Sequence, residues 1–246
     1  MTETVFVSDL HLDPDRPHVT AAWFSFLANA ASRADTIYIL GDLFEAWVGD
    51  DDDDPLAIAC IDALDRASRQ TTVALMHGNR DFLLAREFAR RAGVHLLPDP
   101  TPISLYGRRA VLTHGDLLCT ADRAYQTLRT HLRSAEWQLA TLARPLPDRR
   151  ALGAAMRAHS RAHNANVAEH IMDVDGGAVS ELLREHGADL LIHGHTHRPA
   201  IHRVGRAAGP AALRYVLGDW GPYGWLLRAT PAALDLERFV IPAIGC

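Results

Sequence analysis

Residues 4–11, TVFVSDLH, decide how the rest of the chain is read. Thr4 to Asp9 is β-branched and aromatic with no polar alternation until its end, the pattern of a strand buried on both faces. It runs directly into Leu10-His11, so a buried strand delivers a carboxylate and an imidazole at its carboxyl end. The pattern recurs. Thr36 to Leu40, TIYIL, ends in Gly41-Asp42, and Thr71 to Met76, TTVALM, is followed closely by Gly78-Asn79-Arg80-Asp81. Helix patterns separate these strands at His18 to Ser32 and at Pro55 to Ser68. The second opens with Pro, where a missing N–H costs little. Asp81 to Arg91 reads as a third helix, stopped at Gly93. The order β-α-β-α-β implies a layered α/β fold with a largely parallel sheet.

Further along, short strands are expected at Ile103 to Leu105 and Ala110 to Thr113. Thr120 to Ile171 has no strand pattern. It is rich in Ala, Leu, Arg and His, is interrupted at Pro145 and Pro147, and reads as a helical insertion. A helix carrying Val179, Leu182 and Leu183 then leads to the strand Asp189 to His193. Short strands follow around His202, Tyr215 and Phe239, while Asp219 to Trp225 gives no clear signal. The expected organisation is a core of residues 1–119 and 172–246, interrupted by a helical insertion at 120–171.

Composition removes several function classes. With 48% hydrophobic and 22% charged residues, the chain can bury a full core. A net charge of -5 gives no reason to expect nucleic acid as a partner. All 25 basic residues are arginine, to which no function is assigned. Cys60, Cys119 and Cys246 form neither a metal spacing nor a disulfide framework, which suits a reducing cytoplasm. The opening MTETVFVSDLHL lacks the basic-then-apolar pattern of a signal peptide, and no run approaches the roughly 20 apolar residues that span a bilayer. Any membrane contact is therefore expected to be peripheral.

Five blocks combine Asp, His or Asn with Gly just after an expected strand: Asp9-Leu10-His11, Gly41-Asp42, Gly78-Asn79-Arg80-Asp81, His114-Gly115-Asp116 and Gly194-His195-Thr196-His197. In open α/β sheets, ligands bind outside the carboxyl ends of the strands, so all five point to one edge. Paired divalent ions can hold the attacking and leaving oxygens of a phosphoryl displacement. Carboxylate, imidazole and amide donors suit Mn²⁺, Fe or Zn²⁺. Asp9 and His11 share a face of extended backbone, as do His195 and His197. Asp42 is placed to bridge two ions, and Asn79 and His114 can complete the second.

In this order, Asp-x-His, Gly-Asp, Gly-Asn-x-Asp, His-Gly and Gly-His-x-His resemble the signature of the calcineurin-like metallophosphoesterases. As a set it is highly specific, whereas any single block is weak. That family is a layered α/β sandwich. Most of it carries His after the Asn; here Arg80 stands there. Tyr38 to Trp47 (YILGDLFEAW), His77 to Leu84 (HGNRDFLL), His114 to Thr120 and Ile192 to Pro199 (IHGHTHRP) look like the UDP-2,3-diacylglucosamine pyrophosphatases of bacterial lipid A synthesis, over nearly the whole chain. The resemblance implies Mn²⁺-dependent hydrolysis at the α-phosphate, giving UMP and 2,3-diacylglucosamine 1-phosphate. One ion is expected on Asp9, His11, Asp42 and His197, and the other on Asp42, Asn79, His114 and His195. Together the ions lower the pKa of water for attack on phosphorus, and Asn79 and Arg80 steady the phosphoryl charge beside a catalytic His195. The insertion becomes a helical lid over the acyl chains. Asp122, Ser160, Asn164 and His195 match positions that touch substrate, together with Asn79 and Arg80. One departure stands out: a lysine often follows this Asn by three residues, and here that position is Val167. Arg157 and Arg161 are candidates to replace it. A cytoplasmic monomer, peripheral on the inner membrane, is the corresponding expectation.

Bland readings stand beside these. His193 is read as structural or as an orienting residue rather than a ligand. Asp52 to Asp54 reads as a solvated run, and Asp81 as the cap of its helix, with bonding behind the metal ligands as its functional alternative. Trp137, Leu139, Leu142 and Leu146 read as core of the insertion, with acyl or membrane contact the lesser reading; Phe44 and Trp47 read as packing. Two rivals are another phosphoesterase on the same core and a non-catalytic scaffold. The first differs only in substrate. The second would tolerate loss of ligand residues, and none is missing.

Overall fold

The computed structural model describes residues 2–166, 173–206 and 209–242. The chain runs β1 (Thr4–Val7), α1 (Pro17–Ala31), β2 (Thr36–Leu40), α2 (Pro55–Ser68), β3 (Thr72–Met76), α3 (Arg86–Ala92), β4 (His95–Leu97), β5 (Thr101–Leu105) and β6 (Arg108–Leu112). Three helices follow, α4 (Arg123–Leu132), α5 (Ala135–Leu142) and α6 (Leu146–Asn166). Then come α7 (Gly176–Glu185), β7 (Leu190–His193), β8 (Ala200–Val204), β9 (Ala212–Val216), β10 (Tyr223–Ala229) and β11 (Leu234–Val240).

The strands form two sheets. The first has the order β11-β10-β1-β2-β3-β4 and the second β5-β6-β7-β9-β8. β1 through β4 are parallel, as are β6, β7 and β9. Alternation along each strand builds the layers. Val5, Val7, Ile37 and Ile39 pack with Trp23 and Leu27 of α1 and with Ile61 and Leu64 of α2. Phe6 and Leu40 point the other way and meet Leu112, Leu190, Ile192 and Leu217 of the second sheet. Val111 and Leu191, on that sheet's far face, pack on Val179, Leu182 and Leu183 of α7. The result is helices, sheet, sheet, helix. It is the layered α/β sandwich expected, and it brings the carboxyl ends of β1, β2, β3, β6 and β7 to one edge.

Several local expectations change. Asp81 does not cap a helix, because α3 begins only at Arg86. Its buried carboxylate instead accepts from Gly78 N (2.8 Å) and Leu43 N (2.8 Å), tying the turn after β3 to the turn after β2. The N-terminus of α3 is covered by Asp50, which accepts from Ala85 N (3.0 Å) and Phe88 N (2.8 Å). Of Asp52 to Asp54, only Asp53 is solvated as expected; Asp52 and Asp54 are partly buried. Asp54 caps α2, accepting from Leu56 N (2.8 Å) and Ala57 N (3.4 Å). Asp52 and Asp53 pair with Arg150 of α6, and Asp51 pairs with the buried Arg149. Pro147 does not interrupt the insertion as Pro145 does, for it lies in the first turn of α6, where its missing N–H has no partner to lose. Leu139 is 71% exposed and Leu142 37%, so neither is core of the insertion, whereas Trp137 packs 5.9 Å from Phe82. Phe44 and Trp47 are buried against each other and against Phe88. Strands β4 and β10 add to those expected. Among the described residues, no helix is long and apolar enough to cross a membrane.

Candidate metal centre

Each of the five blocks sits on a turn that leaves a parallel strand. Asp9 N donates to Gly41 O (3.1 Å) and His11 N to Asp42 O (3.0 Å), so the turns after β1 and β2 stay paired past the ends of the strands. Gly194 N donates to His114 O (2.9 Å), joining the turns after β6 and β7. His195 N donates to Asp9 Oδ2 (2.9 Å), which links the two sheets at the site. The backbone is bent hard to do this. Asp9, His11, Asp42, His195 and His197 all have φ between 48° and 66°. Such left-handed backbone is costly for non-glycine residues and gathers where function holds it in place. Gly194 has no room for a side chain, since a Cβ there would overlap Ser8 Oγ and Asp9 Oδ2.

The seven donor side chains converge. His11 Nε2 and His197 Nε2 face each other at 3.2 Å. Asp9 Oδ1 lies 4.0 Å from His11 Nε2 and 3.4 Å from His197 Nε2. Asp42 divides its oxygens, with Oδ2 3.8 Å from His11 Nε2 and Oδ1 3.8 Å from His114 Nε2. Asn79 Oδ1 accepts from His114 Nε2 and from His195 Nδ1, each at 2.9 Å. Arg80 presents its backbone N to Asp42 Oδ1 (2.8 Å) and its guanidinium to the adjoining cavity.

Electrostatics there are dominated by burial and charge. Burial would raise the Asp9 carboxyl, but the His197 contact and the charges of His197, His114 and His11 hold it well below the carboxylate range. Burial would lower His114, yet the charges of Asp42, Asp9 and Asp116 push it up to about 9. His195 falls to about 4, through burial and the charge of His114. Asp81 is pushed up to about 6, by burial and by Asp42. His193, buried between the turns, donates from Nδ1 to Gly194 O (2.9 Å), approaches Arg214 and does not enter the cluster.

These residues fit divalent metal. Two groups, Asp9-His11-His197 and Asp9-Asp42-His114, each bring three ligand atoms within 4.8 Å of one another. Asp9 Oδ1 is buried without a hydrogen-bond donor, an arrangement that is expensive for a carboxylate unless a cation completes it. All the donors are N or O, which suits hard to borderline ions.

The cluster opens into a cavity of about 760 Å³. Asn79, Arg80 and His195 line one end, and Phe82, Leu83, Trp137, Leu152 and Met156 give the rest an apolar wall. Asp122 and Ser160 also line it, and the Asp122 carboxylate caps α4 through Tyr125 N (2.9 Å). The side chains of Asn164 and Arg161, and the whole of Val167, lie outside the described residues. Reading the sequence missed Asp116, whose buried carboxylate accepts from Tyr125 Oη (2.7 Å) and Arg129 Nε (2.7 Å), clamping α4 beside His114. It also missed Glu45, which lies 3.0 Å from His11 Nδ1. Their positions within the quoted blocks were the only available signal.

Known proteins resemble this chain over nearly its whole length. A UDP-2,3-diacylglucosamine hydrolase of Cellvibrio japonicus (strain Ueda107) is 50% identical over 239 residues, covering 97% of this chain and 99% of its own. One of Aeromonas salmonicida (strain A449) is 50% identical over 246 residues, covering 98% and 95%. A solved structure of a novel archaeal phosphodiesterase shares the fold at a TM-score of 0.51 and 10% identity, covering 97% of this chain and 99% of that one. The family model for calcineurin-like phosphoesterases matches residues 3–199, which include all five blocks. The chain belongs to the calcineurin-like phosphoesterase family.

Proposed function

We propose that this chain hydrolyses the pyrophosphate bond of UDP-2,3-diacylglucosamine at the α-phosphate, giving UMP and 2,3-diacylglucosamine 1-phosphate. The observation that carries this reading is a cluster of N and O donors opening into a cavity whose remaining lining is largely apolar, through Phe82, Leu83, Trp137, Leu152 and Met156. A substrate that joins a pyrophosphate to two acyl chains needs both ends. The names of relatives at 50% identity over nearly their full length support the same substrate.

In this reading Asp9, His11, Asp42 and His197 hold one Mn²⁺, and Asp42, Asn79, His114 and His195 the other. When bound, such a pair supplies charge that polarises phosphoryl oxygens and lowers the pKa of water. The chain's own residues do the rest. Arg80, unpaired at Nε, offers fixed donors to the α-phosphoryl oxygens. Asn79 and His195 stand beside it, and His195, held neutral by burial, adds no competing charge. The bond from the α-phosphorus to the bridging oxygen breaks while water oxygen joins the α-phosphorus. The leaving group is already a phosphate and departs as an anion. Asp122, Ser160 and Asn164 hold the sugar and its neighbouring groups. Residues 120–171 act as a lid, whose apolar wall takes the acyl chains and keeps water from them.

The protein is further proposed to be a cytoplasmic monomer that meets the inner membrane peripherally. The exposed Leu139 and Leu142 on α5, whose Trp137 lines the cavity, support that contact. Hydrolysis in ¹⁸O-labelled water tests the central step. The label must appear in UMP; label in the sugar phosphate instead would move attack to the other phosphorus and refute the proposed orientation.

A further inference from the structure

Glu45 lies three residues beyond Asp42, on the same turn. Its backbone N donates to Leu12 O (3.0 Å), which fixes it opposite the block containing His11. The carboxylate lies between His11 and Arg80. Oε2 lies 3.0 Å from His11 Nδ1, and Oε1 lies 4.0 Å from Arg80 Nη1. Burial would raise this carboxyl, but His11, Arg80 and Arg157 together hold it below its usual range.

An imidazole can offer one nitrogen to a cation only if its proton sits on the other, and whatever accepts that proton sets the ring's orientation. His114 has a backbone acceptor: its Nδ1 donates to Leu40 O (2.9 Å). His11 does not. Its Nε2 faces Asp9, Asp42 and His197, and its buried Nδ1 has no aligned hydrogen-bond partner. The Glu45 Oε2, 3.0 Å away, is a carboxylate oxygen within reach of a proton on that nitrogen. His197 has a weaker counterpart, Asp219, 3.9 Å from its Nδ1 and 45% exposed.

We propose that Glu45 is a positioning residue: it fixes the tautomer and ring of His11 for a divalent cation at Nε2, and it couples that histidine to Arg80. The inference rests on the metal-centre reading above, and its test separates the two.

Mn²⁺ is titrated by calorimetry into metal-free wild type, Glu45→Ala and Glu45→Gln, without substrate. Glu45→Ala should weaken one of the two binding events by about 10–100-fold and leave the other unchanged, the usual cost of losing such a partner. Glu45→Gln keeps an oxygen that accepts from Nδ1–H and should recover most of the loss. A merely structural residue would lower the unfolding temperature of both variants and leave both affinities intact. Wild-type affinity in Glu45→Ala overturns the proposal. If Glu45→Ala does not fold, Glu45→Asp, whose shorter side chain withdraws the oxygen, must show the same weakening or the proposal falls. If the wild type takes up no Mn²⁺, the metal-centre reading itself fails, and the role of Glu45 with it.

Discussion

The Nε2 atoms of His11 and His197 face each other at 3.2 Å, although 186 residues separate them in the chain. Two ring nitrogens at that distance share at most one proton, and Asp9 stands beside both. A cation held there would resolve the arrangement and would favour the folded chain, which alone brings these side chains together. Ligand at about 100-fold over its Kd stabilises the fold by about 2.7 kcal/mol, which for a chain of this size is a rise of roughly 5–10 °C in unfolding temperature. Thermal unfolding in Mn²⁺ and in EDTA measures this. Equal transitions would contradict a metal site here.

Metal affinity should depend on pH through His114. In the metal-free chain His114 donates from both nitrogens, to Leu40 O and to Asn79 Oδ1, and holds its proton up to about 9. Its folded pKa lies above the ordinary 6.5. The metal-free fold therefore gains the full stability of that proton below about 6.5, and loses it as pH rises through about 9. A metal ligand must be neutral, so binding expels the proton. Mn²⁺ affinity should rise by about tenfold per pH unit for each proton released, up to about pH 9. Titrations in buffers of different ionisation enthalpy count the protons. A pH-independent affinity would refute the assignment of His114.

Gly194→Ala should disrupt the site more than it disrupts the core. The new methyl overlaps Ser8 Oγ and Asp9 Oδ2, and Asp9 cannot move without leaving His195 N. Overpacking of this kind costs about 1–3 kcal/mol, and here the displaced group is one proposed to hold metal. Bound Mn²⁺ per chain should fall even where far-ultraviolet circular dichroism is unchanged. Full metal content in this variant would show that Asp9 is not a ligand.

Asp116 anchors α4 to the turn that carries His114. Its carboxylate is held well below the usual range: burial alone would raise it, but His114, Arg129 and Arg133 outweigh burial. Asp116→Ala leaves Tyr125 Oη without its acceptor and Arg129 with only the longer Asp99 contact (3.8 Å), and breaking a buried pair costs about 3–5 kcal/mol. Denaturant unfolding should show that loss, and the KM for an acylated substrate should rise as α4 loosens. A variant with wild-type stability would mean that α4 does not depend on the Asp116 carboxylate.

Arg149 and Arg150 are neighbours with different consequences. Arg149 is buried and donates to Val48 O (2.6 Å), Arg144 O (3.0 Å) and Asp51, fastening α6 to the turn after β2. Replacing it with Ala should cost about 1–3 kcal/mol, because carbonyls are left unsatisfied. Arg150→Ala removes only an exposed pair with Asp52 and Asp53 and should leave the unfolding temperature unchanged. Equal effects from both variants would contradict this division.

What the sequence disclosed follows from the range of the interactions. Asp9, His11 and Asp42 were legible because each ends a β-branched run, and a parallel sheet has one carboxyl edge. The fate of Asp81 and of Asp50 to Asp53 was not legible, because their partners lie elsewhere: Leu43 for Asp81, Phe88 for Asp50, Arg149 for Asp51, Arg150 for Asp52 and Asp53. Local pattern favours a helix cap or a solvated loop for such residues, and tertiary contacts decide otherwise. Strand β10 was missed although Leu226 and Leu227 are buried, because Gly224 and Trp225 obscure its beginning. Leu139 and Leu142 have a helical spacing that suggests a core, and only the docked position of α5 shows them facing outward.

The most direct measurement is Mn²⁺-stimulated release of UMP from UDP-2,3-diacylglucosamine, set against UDP-glucose and a simple aryl phosphodiester. The apolar cavity beside the donor cluster predicts fast turnover of the acylated substrate, little of UDP-glucose, and none once Asp42 is replaced by Ala. Hydrolysis of the aryl diester alone would keep the metal centre and contradict the substrate. Turnover of the acylated substrate by Asp42→Ala at the wild-type rate would contradict the centre itself.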